Sequence, residues 1–271
     1  MARAADDAGL EELWLWEDCF REGGIASAAA ALAWTGRLRV GVGLLPVPLR
    51  NVALTAMELA TLYRLFPDRL TVGVGHGVQE WIAQVGARVE SPTTLLREYV
   101  TALRALLRGE RVTTSGRYVR LDGVALDWPP ASAPPIVVGT TGPRSLRLSG
   151  QFADGTILTA STPPERIRQA RQLVDEGRAA GGRTGAHPLI VYLLAATGPH
   201  CAERLAAERR REAGDPAREW GVAGDASVVA EAVRRWAEAG ADTVVLQPTS
   251  DEPDPEGFVR FAATEVRPLV P

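Results

Sequence analysis

Lysine is absent, and all 30 basic residues are arginine. That excludes Schiff-base chemistry, which needs a lysine amine, and it reads as the codon bias of a GC-rich genome. Cysteine is nearly absent. Cys19 and Cys201 alone make neither a disulfide framework nor a zinc site. The three histidines, His76, His187 and His200, show no ligand-like spacing, so no metal is expected. The net charge of −3 lacks the basic excess of a nucleic-acid or anionic-membrane binder. The longest apolar runs fall well short of the roughly 18 residues that mark a membrane span. The opening M-A-R-A-A-D-D-A-G is acidic and amphipathic, unlike a signal peptide. A soluble cytoplasmic protein acting on a small molecule is the expectation.

What is present is ordinary for a globular chain: 46% apolar and 23% charged over 271 residues, with 27 Gly and 19 Pro too few for low complexity. The length fits one α/β barrel, so a single domain over 1–271 is expected. Short β-type runs alternate with helical patterns. The strands read as 13–16, 37–45, 69–75, 136–139, 155–159, 189–195 and 243–247. Helices read as 2–9 (with Gly9 as C-cap), 25–34, 52–65, 93–108, 143–150, 164–180, 200–212, 226–239 and 256–268. Residues 111–126 read as a β-hairpin.

This alternation predicts βα units on a parallel sheet. A (β/α)8 TIM-type barrel needs eight strands, and the chain offers seven. It opens on a helix, so the first β-strand is expected to be lacking here, through a start placed too late or a truncation. The competitor is a doubly wound sheet, which carries a Gly-rich fingerprint after its first strand. Here G-V-G-H-G (73–77) follows the third strand, and no acidic residue ends a following strand at the right distance.

In a barrel, the residues after each strand face the active site. Glu17 and Asp18 follow the first strand read; Asp18 can accept a proton, but at an ordinary carboxyl pKa near 4 it donates poorly at neutrality. His76 follows 69–75 between two glycines and can donate, accept or titrate; the alternative is a structural histidine held by a carbonyl. G-T-T-G-P-R (139–144) joins a strand to a helix, with Pro143 suited to the first helical position. Its free N–H groups and helix dipole suit a phosphate, and Arg144 can add charge, although a plain βα turn explains the same residues. G-V-G-L-L-P (41–46) suggests a bulge or a strand running into Pro46. Asp154, Asp242 and His187 precede strands, at the structural end. Trp14 and Trp16 read as core.

Five segments, in order, resemble the bacterial luciferase-like superfamily of flavin- and deazaflavin-dependent oxidoreductases: 4–18, 37–51, 59–77, 137–157 and 239–248. The resemblance implies an eight-stranded barrel with its site at the C-terminal strand ends. It implies reduced FMN or coenzyme F-420, and hydride transfer to or from a small organic substrate, or monooxygenation. F-420 is favoured because the segments are slightly more similar to hydride-transferring members. By the same resemblance, Gly139, Thr140, Thr141 and Gly142 hold the cofactor phosphate. Gly43, Leu44 and Leu45 form a bulge behind the ring, where the family often has a non-proline cis peptide. Asp18 takes the place of a histidine of the F-420 members, and Asp18 and His76 become the catalytic pair. Some members carry an acid two places after the position of His76. Here Val78 stands there, with Glu80 as a substitute. The hairpin is similar to an insertion near the barrel mouth, and a homodimer is expected. The rival expectation is a non-catalytic flavin-binding barrel.

Overall fold

Helices begin where the sequence supplies caps. The Asn51 carboxamide accepts from Ala53 N (2.9 Å) and Leu54 N (3.4 Å) at the start of α3 (Val52–Leu65). Asp225 and Asp254 do the same for α9 (Ala226–Glu238) and α10 (Pro255–Phe261). Proline occupies the first turn of α5 (Pro92–Leu107), α6 (Pro143–Phe152) and α7 (Pro164–Ala180). The remaining helices are α1 (Ala2–Asp7), α2 (Gly24–Trp34), α4 (Gln79–Gln84) and α8 (Cys201–Arg211). These come from a computed structural model, which describes residues 1–211 and 221–270. Residue 212 of the helix expected at 200–212 lies outside them.

Seven strands run parallel in the order β1 (Glu12–Leu15), β2 (Arg39–Pro46), β3 (Leu70–Gly75), β6 (Ile136–Gly139), β7 (Gly155–Leu158), β8 (Leu189–Ala196) and β10 (Thr243–Pro248). All seven expected strands are present, with ends displaced by at most two residues. The hairpin is present too, as antiparallel β4 (Val112–Ser115) and β5 (Arg120–Val124). Its tip docks on α5, where the Glu98 carboxylate accepts from the backbone N–H groups of Arg117, Tyr118 and Val119. The helical region expected after β3, strongest over 93–108, comprises α4 and α5. A further strand, β9 (Val222–Ala223), was not expected; it is a two-residue pairing onto β8, too short to carry a periodic signal.

The sheet curves so that alternate side chains face a lumen and an outer helix layer. On β8, Leu189, Val191 and Leu193 face outward into the cluster with α7 and α9, while Ile190, Tyr192 and Leu194 face inward. Inward glycines on β2 and β3 face large side chains of other strands that fill the space, Trp14 from the neighbouring β1 and Ile157 from β7. A Cβ on Gly41 would lie 2.3–2.6 Å from the Trp14 ring, and one on Gly73 2.6 Å from Ile157 Cδ1. Trp14 is therefore core, as read.

The N-terminal end of the sheet is tied by polar groups. Asp154 accepts from Ile136 N (3.0 Å), Arg183 (2.7 Å) and Arg104. Asp242 accepts from Leu189 N (2.7 Å) and pairs with Arg171. Ser149 Oγ donates to the Gly155 carbonyl (3.2 Å), which leaves it only the acceptor role toward Thr156 (2.7 Å). Thr156 therefore donates to Ser149, and His187 Nε2 carries the hydrogen that Thr156 accepts at 2.8 Å. His187 stays neutral: burial, then the charges of Arg178, Arg183 and Arg171, push its pKa down to about 4. Both aspartates and His187 are structural, as their position before strands suggested.

β1 and β10 end the sheet, and among the described residues neither has a second strand partner. β10 is half-buried along its whole length, whereas β6, β7 and β8 are buried throughout. On this side α1 packs on α10. The Met1 ammonium reaches Glu256 at 3.0 Å, and Arg267 reaches Glu11 at 3.1 Å.

Gly41→Ala places a methyl inside the contact distance of the Trp14 ring. It is expected to cost roughly 1–3 kcal/mol of stability by overpacking, measured as a lower urea midpoint. An unchanged midpoint would show that the lumen yields at Trp14.

Candidate active site

The site is built at the C-terminal ends of β1, β2, β3 and β6. The loop leaving β1 is fixed by Glu17. Its carboxylate takes two hydrogen bonds from Arg50 (2.8 and 2.6 Å) and one from Gly24 N at the start of α2 (2.8 Å). Arg50 also bonds Glu58 at 2.8 Å, and the Glu17 N–H donates to the Leu44 carbonyl at 3.3 Å. The Glu17 and Arg50 side chains are only 13% and 16% exposed, so the bidentate pair is largely shielded from water. Asp18 follows directly, half-buried. Burial raises its pKa above the ordinary carboxyl range, against a smaller opposing effect of Arg21. That is the shift a carboxyl needs before it can donate a proton near neutrality.

The second wall is the end of β2. Its register against β3 slips between Val42 and Leu45, and the Gly43–Leu44 peptide is cis. Leu44 lies across two neighbouring strand ends. A Cβ on Gly75 would come within 2.5 Å of Leu44 Cδ2, and one on Gly139 within 2.2 Å. Gly139 is thus small to admit Leu44, a different reason from the close ligand approach that its motif suggests. The Gly43 carbonyl accepts from Tyr192 Oη at 3.4 Å. The Tyr192 ring meets Trp14 and Trp16 edge-on, at 6.4 and 6.1 Å between centroids.

The third part is the turn into α6. Thr140 is buried and its N–H already donates to the Ile157 carbonyl (3.1 Å), so it extends the sheet. Thr141, Gly142 and Arg144 are exposed. The first-turn N–H groups of α6 have no acceptor within the helix, and a Cβ on Gly142 would meet nothing within 4 Å. Arg144 pairs with no carboxylate among the described residues. His76 comes to the same helix from the end of β3, its Nε2 3.1 Å from Ser145 Oγ. Its Nδ1 is buried without a partner, and burial lowers its pKa, so the ring is neutral at pH 7. Glu80 is exposed on α4, and His200 is exposed beside Glu203.

Asp18, the 43–45 bulge, His76 and the 141–144 turn therefore meet at one end of the sheet. Three contributors were not singled out by the sequence reading. Arg50 has no local pattern to mark it, and Ser145 reads as an ordinary helix residue. Tyr192 did carry a signal: a buried phenol in an aliphatic strand needs a hydrogen-bond partner.

A family model described as luciferase-like monooxygenase matches residues 1–216. The chain belongs to this family. It is 29% identical to 5,10-methylenetetrahydromethanopterin reductase of Methanolobus tindarius over 181 residues, 66% of this chain and 55% of that one. It is 32% identical to an F-420-dependent glucose-6-phosphate dehydrogenase of Nakamurella multipartita over 179 residues, 60% of this chain and 52% of that one. The match thus spans about half the length of these two relatives. Among solved structures, an F-420-dependent secondary alcohol dehydrogenase in complex with an F-420–acetone adduct superposes with a TM-score of 0.89 at 20% identity, covering 100% of this chain and 93% of the other. The oxygenating constituent of a Pseudomonas putida Baeyer–Villiger monooxygenase in complex with FMN gives 0.78 at 18% identity, covering 100% and 91%. These two establish a shared fold of TIM-barrel type. No helix among the described residues is long and apolar enough to cross a membrane.

Glu17→Ala removes two of the three hydrogen-bonded contacts of a shielded guanidinium. A loss of about 3 kcal/mol is expected, read by chemical denaturation. A loss below about 0.5 kcal/mol, typical of a solvated surface pair, would show that the Asp18 loop is held by other contacts.

Proposed function

We propose that this protein is an oxidoreductase that uses a reduced deazaflavin or flavin, with F-420 favoured over FMN, to transfer hydride to or from a small organic substrate. The observation that carries the reading is that Asp18, the 43–45 bulge and the open first turn of α6 lie at the same end of the sheet, after β1, in β2 and after β6. The residues suit the cofactor. The α6 N–H donors and Arg144 offer an anion site in open space above Gly142, and Leu44 with the Gly43–Leu44 backbone offers an apolar wall for a flat ring. When bound, a reduced deazaflavin supplies a hydride, whereas reduced FMN can also activate oxygen, which would make the reaction a monooxygenation.

The chain's own part is to bind, orient and handle protons. Thr141, Gly142 and Arg144 hold the phosphate. Neutral His76 contributes a hydrogen bond through Ser145 to the same helix end and adds no charge. Asp18 gives or takes a proton at its carboxyl oxygen beside the substrate, and the Glu17–Arg50 pair keeps that carboxyl in place. The setting proposed is cytoplasmic, which suits two free cysteines. A non-catalytic flavin-binding role is the second reading, favoured by the unpaired edges of β1 and β10. It predicts binding without turnover when reduced cofactor and candidate substrates are supplied.

The proposed assembly is a homodimer. α3 turns Leu54, Met57 and Leu65 outward at 49%, 58% and 63% exposure, a stripe at helical spacing that a second copy would cover. Sedimentation should give a dimer for the wild type and a monomer for Met57→Glu; a monomeric wild type would refute the dimer.

Fluorescence titration with F-420 and with FMN tests the site. Binding of micromolar order or tighter by one of them is expected. Gly142 has φ −78°, which any residue adopts, and open space around it, so Gly142→Trp should fold normally. Its affinity should fall at least tenfold. An unchanged affinity in the folded variant sinks the phosphate assignment, and binding of neither cofactor by the wild type sinks the whole reading.

A further inference from the structure

Tyr192 stands in the middle of β8, in an otherwise aliphatic run buried along its length. At 4% exposure its ring is core, yet the hydroxyl has a definite position. It donates to the Gly43 carbonyl at 3.4 Å, and a Cβ on Gly43 would lie 2.7 Å from it. Glycine at 43 therefore leaves the room that this oxygen occupies. On its other flank the ring meets Trp16 at 6.1 Å, and Trp16 lies two residues before Asp18. Burial raises the phenol's pKa and the Asp18 charge adds to this, so the group stays protonated and remains a donor at any working pH. Phenylalanine or leucine would fill the same volume without a polar atom to satisfy. A phenol here thus spans two walls: the 43–45 bulge and the segment that delivers Asp18.

We propose that Tyr192 is a positioning residue of the redox site. Its hydroxyl fixes the Gly43 carbonyl, its ring fixes the Trp16–Asp18 segment, and together they set the separation of the two walls. The inference rests on reading 43–45 as the ring wall and Asp18 as the proton-handling group.

The test compares wild type, Tyr192→Phe, Gly43→Ala and Ile190→Val by equilibrium titration with F-420 and with FMN from pH 4 to 8. Ile190 faces the same lumen one layer below and serves as the packing control. Tyr192→Phe is expected to weaken binding three- to tenfold, the loss of one hydrogen bond of about 1 kcal/mol. It should also move the acid limb of the binding profile to higher pH, because losing a polar group near Asp18 favours the neutral carboxyl. Gly43→Ala, whose methyl takes the space of the hydroxyl, should reproduce the loss of affinity. Ile190→Val should lose stability without either. The inference is overturned if folded Tyr192→Phe or Gly43→Ala binds with the wild-type affinity and profile. It is equally overturned if Ile190→Val moves both as far. A wild type that binds neither cofactor overturns the underlying reading and the inference together. A wild type that binds, with unchanged variants, overturns the inference alone.

Discussion

The lumen of this sheet is filled by a few large side chains set against glycines. The Trp14 ring occupies the space over Gly41, and Ile157 and Tyr192 reach the space over Gly73 and Gly43. Because interiors pack to nearly crystalline density, adding even one carbon to such a face is felt. The alternation V-G-V-G on β2 and on β3 is therefore one half of a complementary surface whose other half lies on β1, β7 and β8. The strand ends that form the candidate site rest on this filling. Leu44 repeats the pattern one layer higher, over Gly75 and Gly139.

Polar groups then hold the two ends of the strands by different means. At the N-terminal end, Asp154 and Asp242 each accept the first N–H of a neighbouring strand while neutralised by arginine, and the Ser149–Thr156–His187 series runs in one direction because the Gly155 carbonyl can only accept. At the C-terminal end, Glu17 pairs with Arg50 after β1 and Arg204 pairs with Glu252 after β8 and β10, both largely shielded from water, while Asp18 and His76 are half-buried. Burial there raises the proton affinity of Asp18 and lowers that of His76.

The element order was legible because it depends on local chemistry. The aliphatic runs of β6, β7 and β8 are the signature of strands buried on both faces, and proline and capping residues mark where helices start. Two-residue β9 escaped notice because a pairing that short is fixed by its neighbour, β8. For the site, the motifs located the strand ends but not the reason for each residue. Gly139 reads as a ligand contact and is a socket for Leu44, and Thr140 reads as a phosphate donor while its N–H is spent on the sheet. Arg50 and Tyr192 each act through a partner distant in sequence, Glu17 in one case and Gly43 in the other; the lone phenol in the aliphatic run marks Tyr192, but no local pattern names its partner, and none marks Arg50.

The unpaired outer edges of β1 and β10 give the sheet two kinds of backbone. In β3, β6, β7 and β8, successive N–H groups point alternately to strands on the two sides. In the two terminal strands, every second N–H points away from its only partner. Amide exchange with solvent should therefore run along the sheet as a gradient, fastest at β1 and β10 and slowest near β7, and the candidate site spans that gradient, with Asp18 leaving the fast edge and the α6 turn rising from the slow interior.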